Sequence, residues 1–339
     1  MSESASDRVW PPGAATAIGS LPGTDPAEAS RFVLGELPEL PYLAELPARG
    51  PGAEMIGRSG ALLVDLPVDI VSTGWRLAAR PGRDLRRARD LLARDLDALE
   101  QAASGYAGAL KIQAAGPWTL AAALELPSGH RAVSDHGAVR ELASSLAEGL
   151  RQHLAEVRTR VPGARVVLQL DEPSIGAVRD GRVPTPSGYG TVPAVPRPVL
   201  LERLSAVLAA GEPGVRVVHD CGPGAPISLF REAGADAVSV DVQILGAGDL
   251  DELAEAVDGG MSLWAGVVPA TDAQIDSADG YALIARLWSE LGFDESQTRM
   301  APTIVPTPAC GLAGATPEYA RRATTVVREI ALRLVEGHS

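Results

Sequence analysis

The chain is 339 residues long and carries 43 acidic against 30 basic side chains, a formal charge of −13. That balance argues against nucleic acid, whose phosphates require a basic face. No apolar run approaches the roughly 18 residues of a membrane span, and the start Met1-Ser-Glu-Ser-Ala-Ser-Asp has neither the basic nor the apolar segment of a signal peptide. A cytoplasmic protein with no membrane partner is therefore expected.

In chain order, residues 1–13 read as a flexible lead. A strand over 16–20 precedes a helix over 26–36, which Thr24-Asp25-Pro26 opens with a capping residue before proline. A second strand, 41–45, leads into a long Gly- and Pro-rich excursion over 46–80, with a hairpin within 61–78. The helix over 83–104 begins in a basic run broken by Asp84, Asp90 and Asp95, a solvated face rather than a binding patch. Strands over 109–114, 165–171, 215–219, 237–241, 262–267 and 299–304 follow. Helical periodicity fills 134–159, 197–210, 225–233, 248–257, 279–291 and 317–336, the last opened by Thr316-Pro317-Glu318. A second long loop, 178–196, follows the fourth strand.

Eight alternations of strand and helix in a chain of this length predict one TIM-type (β/α)8 barrel spanning 1–339. Both long loops follow strand C-termini, the end at which such barrels place their active sites. Long loops in compact domains are usually functional, so 46–80 and 178–196 are expected over the barrel mouth.

The barrel makes a sharp prediction about polar residues. Ser20, Glu45, Asp171 with Glu172, His219, Cys221, Asp241 and Cys310 all fall at or just past the end of a predicted strand. The fold would gather them around one pocket. His219-x-Cys221 is the most informative pair, because strand side chains two apart point the same way. Cys221 and Cys310 are the only cysteines. One imidazole and two thiolates are ligands of the kind zinc favours, and in a reduced compartment such cysteines are metal ligands more readily than a disulfide. Each residue also has a plain reading. A lone cysteine packs as a small hydrophobe, Asp241 can cap a turn, and Asp171-Glu172-Pro173 can simply end a strand. The histidines at 130, 136, 153 and 338 fall in polar helices or the tail and are given no role.

At these residues the chain resembles the cobalamin-independent methionine synthase family, specifically its C-terminal catalytic barrel. The motifs are Thr16-Ala-Ile-Gly-Ser20, Gly116-Pro117-x-Thr119, Leu168-Gln-Leu-Asp-Glu-Pro173, Val218-His-Asp-Cys221, Ala235-Asp-Ala-Val-Ser-Val-Asp241 and Cys310-Gly-Leu312. Their order and spacing carry the resemblance over nearly the whole chain. It implies a Zn2+ held by His219, Cys221, Asp241 and Cys310, which binds the thiol of homocysteine. It implies that Ile18, Gly19 and Ser20 take the amino-acid carboxylate, and that Asp171, with Glu45 second to it, takes the ammonium. The implied reaction moves a methyl group to that thiol, forming methionine, from a methylfolate or a methyl-corrinoid protein.

The chain also departs from the family pattern. Aspartate stands at 241 where the family has glutamate, one methylene longer. The chain is too short for the family's additional N-terminal barrel. The family's catalytic proton-donor histidine is missing from the loop after Trp264-Ala-Gly-Val-Val268, where Thr271 or a neighbour stands, so no catalytic residue is assigned. The position of the family's second acid, downstream of Asp-Glu-Pro, is held by Ala177, and that of the aromatic expected after Gly116-Pro-Trp-Thr119 falls near Ala123. The amino-acid and metal half of the site is retained in sequence, and the folate half is not. Two alternatives follow: a corrinoid-linked methyltransferase acting on another small thiol, or a non-catalytic metal-binding regulatory barrel.

Overall fold

The computed structural model describes residues 9–293 and 300–336. Six parallel strands pair in sequence order: β3 (Ala109–Ala115), β4 (Arg165–Asp171), β5 (Arg216–Asp220), β6 (Ala237–Asp241), β7 (Ser262–Val268) and β8 (Ile304–Pro308). Their inner residues are buried on both faces, as sheets covered by helices require. The first two predicted strands are present as extended staves joined by single bridges, Ser20 to Glu45 and Tyr42 to Lys111. Leu43 N–H donates to Lys111 O (2.9 Å), Glu45 N–H to Gly19 O (3.0 Å) and Thr16 N–H to Pro306 O (3.4 Å). These contacts curl the sheet round into an eight-stave, TIM-barrel-like ring. The two staves do not form a regular ladder because inward side chains take some of their carbonyls: Lys111 and Gln169 bind Ile18 O, and Gln113 binds Leu43 O.

The long helices fall where the periodicity places them. α1 (Pro26–Glu36) is capped by Asp25, whose carboxylate accepts from Ala27 and Glu28 N–H. α3 (Arg83–Ala102) buries Leu85, Leu92, Leu96 and Leu99 on one stripe, and α5 (His136–Arg160) is capped by Asp135. α7 (Arg197–Leu208), α8 (Ile227–Glu232), α9 (Ala247–Asp258), α10 (Ser277–Glu290) and α12 (Pro317–Glu336) complete the outer layer. Among the described residues no helix is long and apolar enough to cross a membrane.

Three features correct the sequence reading. The strand predicted over 299–304 lies later, at Ile304–Pro308, and Met300–Thr303 forms a helical turn (α11) before it; residue 299 lies outside the described residues. Pro306 and Pro308 read as strand breakers, but the Pro306 carbonyl faces Thr16, so its missing N–H falls beside the irregular first stave. Second, the 46–80 excursion holds a helix, α2 (Met55–Leu62), ahead of the hairpin β1 (Val68–Val71) and β2 (Gly74–Leu77). Glu54 caps α2 through Gly57 N–H, and a side chain at Gly57 or Gly60 would run into Trp75 or Val68 of the hairpin. Glycine is there for close packing, and it masks the helical pattern. Third, His153 is buried, not on a polar face.

Two short helices, α4 (Pro117–Ala123) and α6 (Ile175–Arg179), follow β3 and β4 directly. Of the lead segment, residues 1–8 lie outside the description, whereas Trp10 is buried against Trp264, edge to face with centroids 5.5 Å apart. With Ala109, Val167, Val217, Ala237 and Val305 these tryptophans form an apolar plug. Those residues sit in the N-terminal halves of their strands, so the plug closes the barrel floor and leaves the other end for chemistry.

Candidate metal and substrate site

β5 ends at Asp220, so His219 points inward and Cys221, just beyond the strand, follows on the same side. Cys310 lies two residues past β8. The donor atoms of His219, Cys221 and Cys310 all lie within 4.8 Å of one another. Both cysteines are free, with Sγ to Sγ 3.0 Å. His219 Nδ1 lies 3.2 Å from Ser239 O and 3.0 Å from Ser239 Oγ. A carbonyl can only accept, so Nδ1 carries the hydrogen and Nε2 faces the thiols; Nε2 is buried with no hydrogen-bond partner. A second nitrogen fixed this way is the arrangement a metal-binding histidine needs.

The electrostatics point the same way. Hydrogen bonding from Cys221, together with the nearby charge of His219, holds the Cys310 thiol down to about 4, against the pull of burial. Cys221 is pushed up by the bond it gives Cys310 and by burial. Burial opposes charge on His219, but Cys310 and Asp171 outweigh it and its pKa rises. A thiolate at Cys310 beside Nε2 favours a cation between them, a proton or a metal. The residues present fit a metal: a soft, partly buried donor set with one nitrogen left over for it.

The other predicted site residues fall into two groups. Asp171 lies beside the cluster, outside the three grouped donors, as the register partner of His219 across β4 and β5. It is buried, and burial lifts its pKa to about 7 despite His219 and Lys111. Ser20 and Glu45 are bridged to each other, Leu312 N–H donates to Ser20 O (2.9 Å), and a side chain at Gly311 would strike Ser20 Oγ. The Ile18-Gly19-Ser20 turn therefore abuts the residues next to Cys310. Asp241, at the end of β6, is likewise not among the three grouped donors; its Oδ1 accepts from Gln243 N–H at 3.0 Å, and its pKa is raised by burial and by the charge of Cys310.

Glu172 has a structural task. It is fully buried and accepts from Trp118 N–H (2.9 Å), Thr119 N–H (2.8 Å) and the Thr119 hydroxyl (2.8 Å). It caps α4, and Gly116 is needed because a side chain there would meet the carboxylate. Thr271, where the resemblance expects a histidine, is exposed. The neighbouring loop is tied down by Asp272 to Thr316 N–H (2.9 Å) and by Tyr319 OH to Pro269 O (2.8 Å).

Four further polar residues escaped the sequence reading: Lys111, Gln113, Gln169 and Arg58, all buried. The first three were visible as polar residues at period two inside apolar strands, Lys111-x-Gln113 and Gln169-x-Asp171. Arg58 sits on the glycine-masked α2, 3.8 Å from Glu45 and paired with Asp95, which Arg49 also binds at 2.7 Å.

Fold and site together define a TIM-barrel-like α/β protein with a His/Cys/Cys cluster, able to bind a metal, at the C-terminal ends of its strands. The chain belongs to the cobalamin-independent synthase catalytic-domain family, whose model matches residues 13–333. Among solved structures it is similar to a B12-independent methionine synthase from Shewanella sp. W3-18-1, in complex with selenomethionine. The TM-score is 0.63 at 13% identity, covering 95% of this chain and 98% of that one. Looser likenesses are a methylaspartate ammonia lyase from Clostridium tetanomorphum (TM-score 0.45, 11% identity, 96% of this chain and 60% of that one) and a β-glucosidase from Pyrococcus furiosus (0.43, 12%, 96% of each). No curated protein sequence matches the chain.

Proposed function

We propose that this chain is a zinc-dependent methyltransferase that moves a methyl group to the thiol of homocysteine, forming methionine. The observation that carries the reading is the convergence of His219, Cys221 and Cys310, with His219 Nε2 unpartnered, beside the buried carboxylate of Asp171. Zn2+, when bound by these three residues and by Asp241 as fourth ligand, would lower the pKa of the substrate thiol so that thiolate forms near neutral pH. The Ile18-Gly19-Ser20 turn would take the substrate carboxylate, and Asp171, with Glu45 behind it, the ammonium. Holding both ends of the amino acid fixes where its sulfur lies.

The proposed methyl donor is a methylfolate or a methyl-corrinoid protein. Transfer to a simpler thiol fits less well, because a thiol without an ammonium gives the buried carboxylate of Asp171, held by Gln169, no cation of its own to face. The exposed Thr271 favours a second reading, a metal-binding barrel without turnover. One series of measurements separates these. Purified protein should hold stoichiometric zinc, bind homocysteine in preference to thiols lacking the amino group, and methylate it with methylcobalamin or a methylfolate. Absence of zinc sinks the proposal; zinc with homocysteine binding but no turnover on any donor supports the second reading.

A further inference from the structure

Barrel interiors are normally filled with Val, Ile and Leu. Here the layer beneath the mouth holds Lys111, Gln113 and Gln169, at 0%, 4% and 0% exposure. Burying such groups costs free energy unless each is hydrogen-bonded, and apolar side chains of similar volume would stabilise the barrel at least as well. Their bonds follow a repeated plan. Gln113 Nε2 splits its two hydrogens between Leu43 O (2.6 Å) and Glu45 Oε1 (3.0 Å). Gln169, its register partner on β4, splits its own between Ile18 O (2.9 Å) and Asp171 Oδ1 (2.6 Å). Each amide thus ties one carboxylate to the backbone of one irregular stave. Lys111 links the two halves, donating to Ile18 O (2.6 Å) and Gln113 Oε1 (3.3 Å). Gly19 lies directly on this layer, since a Cβ there would sit 2.8 Å from Gln113 Nε2.

We propose that Lys111, Gln113 and Gln169 are positioning residues that hold Glu45 and Asp171 in fixed register with the 18–20 turn, so that the mouth selects thiols bearing an α-amino-acid head group. The proposal rests on the reading above, in which the turn and the two carboxylates hold the substrate. It places specificity one layer below the residues that touch the ligand. It also explains why the first two staves lack regular ladders: their carbonyls serve the layer instead of a neighbouring strand.

The test compares wild type with Gln169→Leu for homocysteine and for the same thiol lacking its amino group. Loss of a charge-assisted bond that aims Asp171 should weaken homocysteine binding about 10- to 100-fold, and binding of the amino-free thiol far less, with metal content unchanged. Equal loss for both thiols, or loss for neither, overturns the proposal. A second readout involves no ligand. Amide hydrogen exchange over residues 16–21 should quicken at least about tenfold in Gln169→Leu and in Lys111→Met, with β6 and β7 unchanged, because the Ile18 carbonyl loses an anchor. Unchanged exchange there overturns the positioning role, whereas wild type that binds no homocysteine overturns the substrate reading instead. Gln113→Leu makes the same test from the Glu45 side if Gln169→Leu does not fold.

Discussion

Replacing Gly311 with alanine should weaken homocysteine binding while leaving the metal in place. The added Cβ would fall on Ser20 Oγ and lie 3.3 Å from Ser20 Cβ. The hydroxyl can rotate away, but the Cβ contact then requires Ser20 itself to give by a few tenths of an ångström. Ser20 has little room to do so. Its carbonyl accepts from Leu312 N–H at 2.9 Å, and its neighbours Gly19 and Leu21 are bonded to Glu45. A forced rotamer and mild overpacking together cost about 1–2 kcal/mol, which in a domain this large lowers Tm by about 1–3 °C. Turning the hydroxyl away from the substrate carboxylate removes one hydrogen bond, about 0.5–1.5 kcal/mol, or about 3- to 10-fold in affinity. Cys310 keeps its thiol, so zinc stoichiometry should not change. Calorimetric melting, metal analysis, and titration with homocysteine and with the same thiol lacking its carboxylate read all three quantities. Unchanged affinity for homocysteine, or an equal loss for the carboxylate-free thiol, would refute the contact between the 18–20 turn and the substrate carboxylate.

Two further predictions concern stability. Burial, reinforced by the charge of Arg58, holds the His153 pKa down to about 3. The unfolded chain takes up that proton first, near the ordinary value of about 6.5, so stability is complete above that pH and is lost as pH falls toward 3, by about 2 kcal/mol at about pH 5. His153→Gln should flatten this part of the urea-midpoint profile, and parallel profiles for the two proteins would contradict it. Glu172→Ala should destabilise by about 3–5 kcal/mol, since two backbone N–H groups and a hydroxyl lose their buried acceptor, and Glu172→Gln by less because one oxygen remains. Chemical denaturation decides; an Ala variant as stable as wild type would show that α4 is not anchored this way.

The parts of the fold legible in sequence are those where local pattern and tertiary environment agree. The strands predicted at 165–171 and 237–241 coincide with β4 and β6, because apolar, β-branched runs bounded by turns have few other uses. The first two staves kept their place and lost their regularity, since Lys111, Gln113 and Gln169 compete for their carbonyls, a contest between residues about 70 to 150 positions apart. Helix α2 was hidden because Gly57 and Gly60, poor helix formers, are demanded by the hairpin packed on them. Proline in β8 misplaced that strand for a similar reason: its tolerance depends on which neighbour lacks a regular ladder.

The site divides the same way. His219, Cys221 and Cys310 could be read from residue type and strand position, and the fold brings them together. Asp241 was read from the same strand-end rule; its Oδ1 accepts from Gln243 N–H, a bond that strand position does not reveal, and its role as fourth ligand belongs to the proposal. Glu172 looked like half of an acidic pair and proved to be a helix cap. The supporting layer was overlooked because a lone polar residue in a strand carries little signal; only the period-two pairing of Lys111 with Gln113 and of Gln169 with Asp171 marks an inward polar face.

The most direct test of the central claim is the sulfur count around the bound metal. X-ray absorption of the zinc-loaded protein should report the two sulfurs of Cys221 and Cys310, and the number should rise to three when homocysteine is added. Cys310→Ser should lose the metal or report one sulfur fewer. Wild-type protein that retains no zinc, or whose sulfur count does not change with homocysteine, would contradict the account.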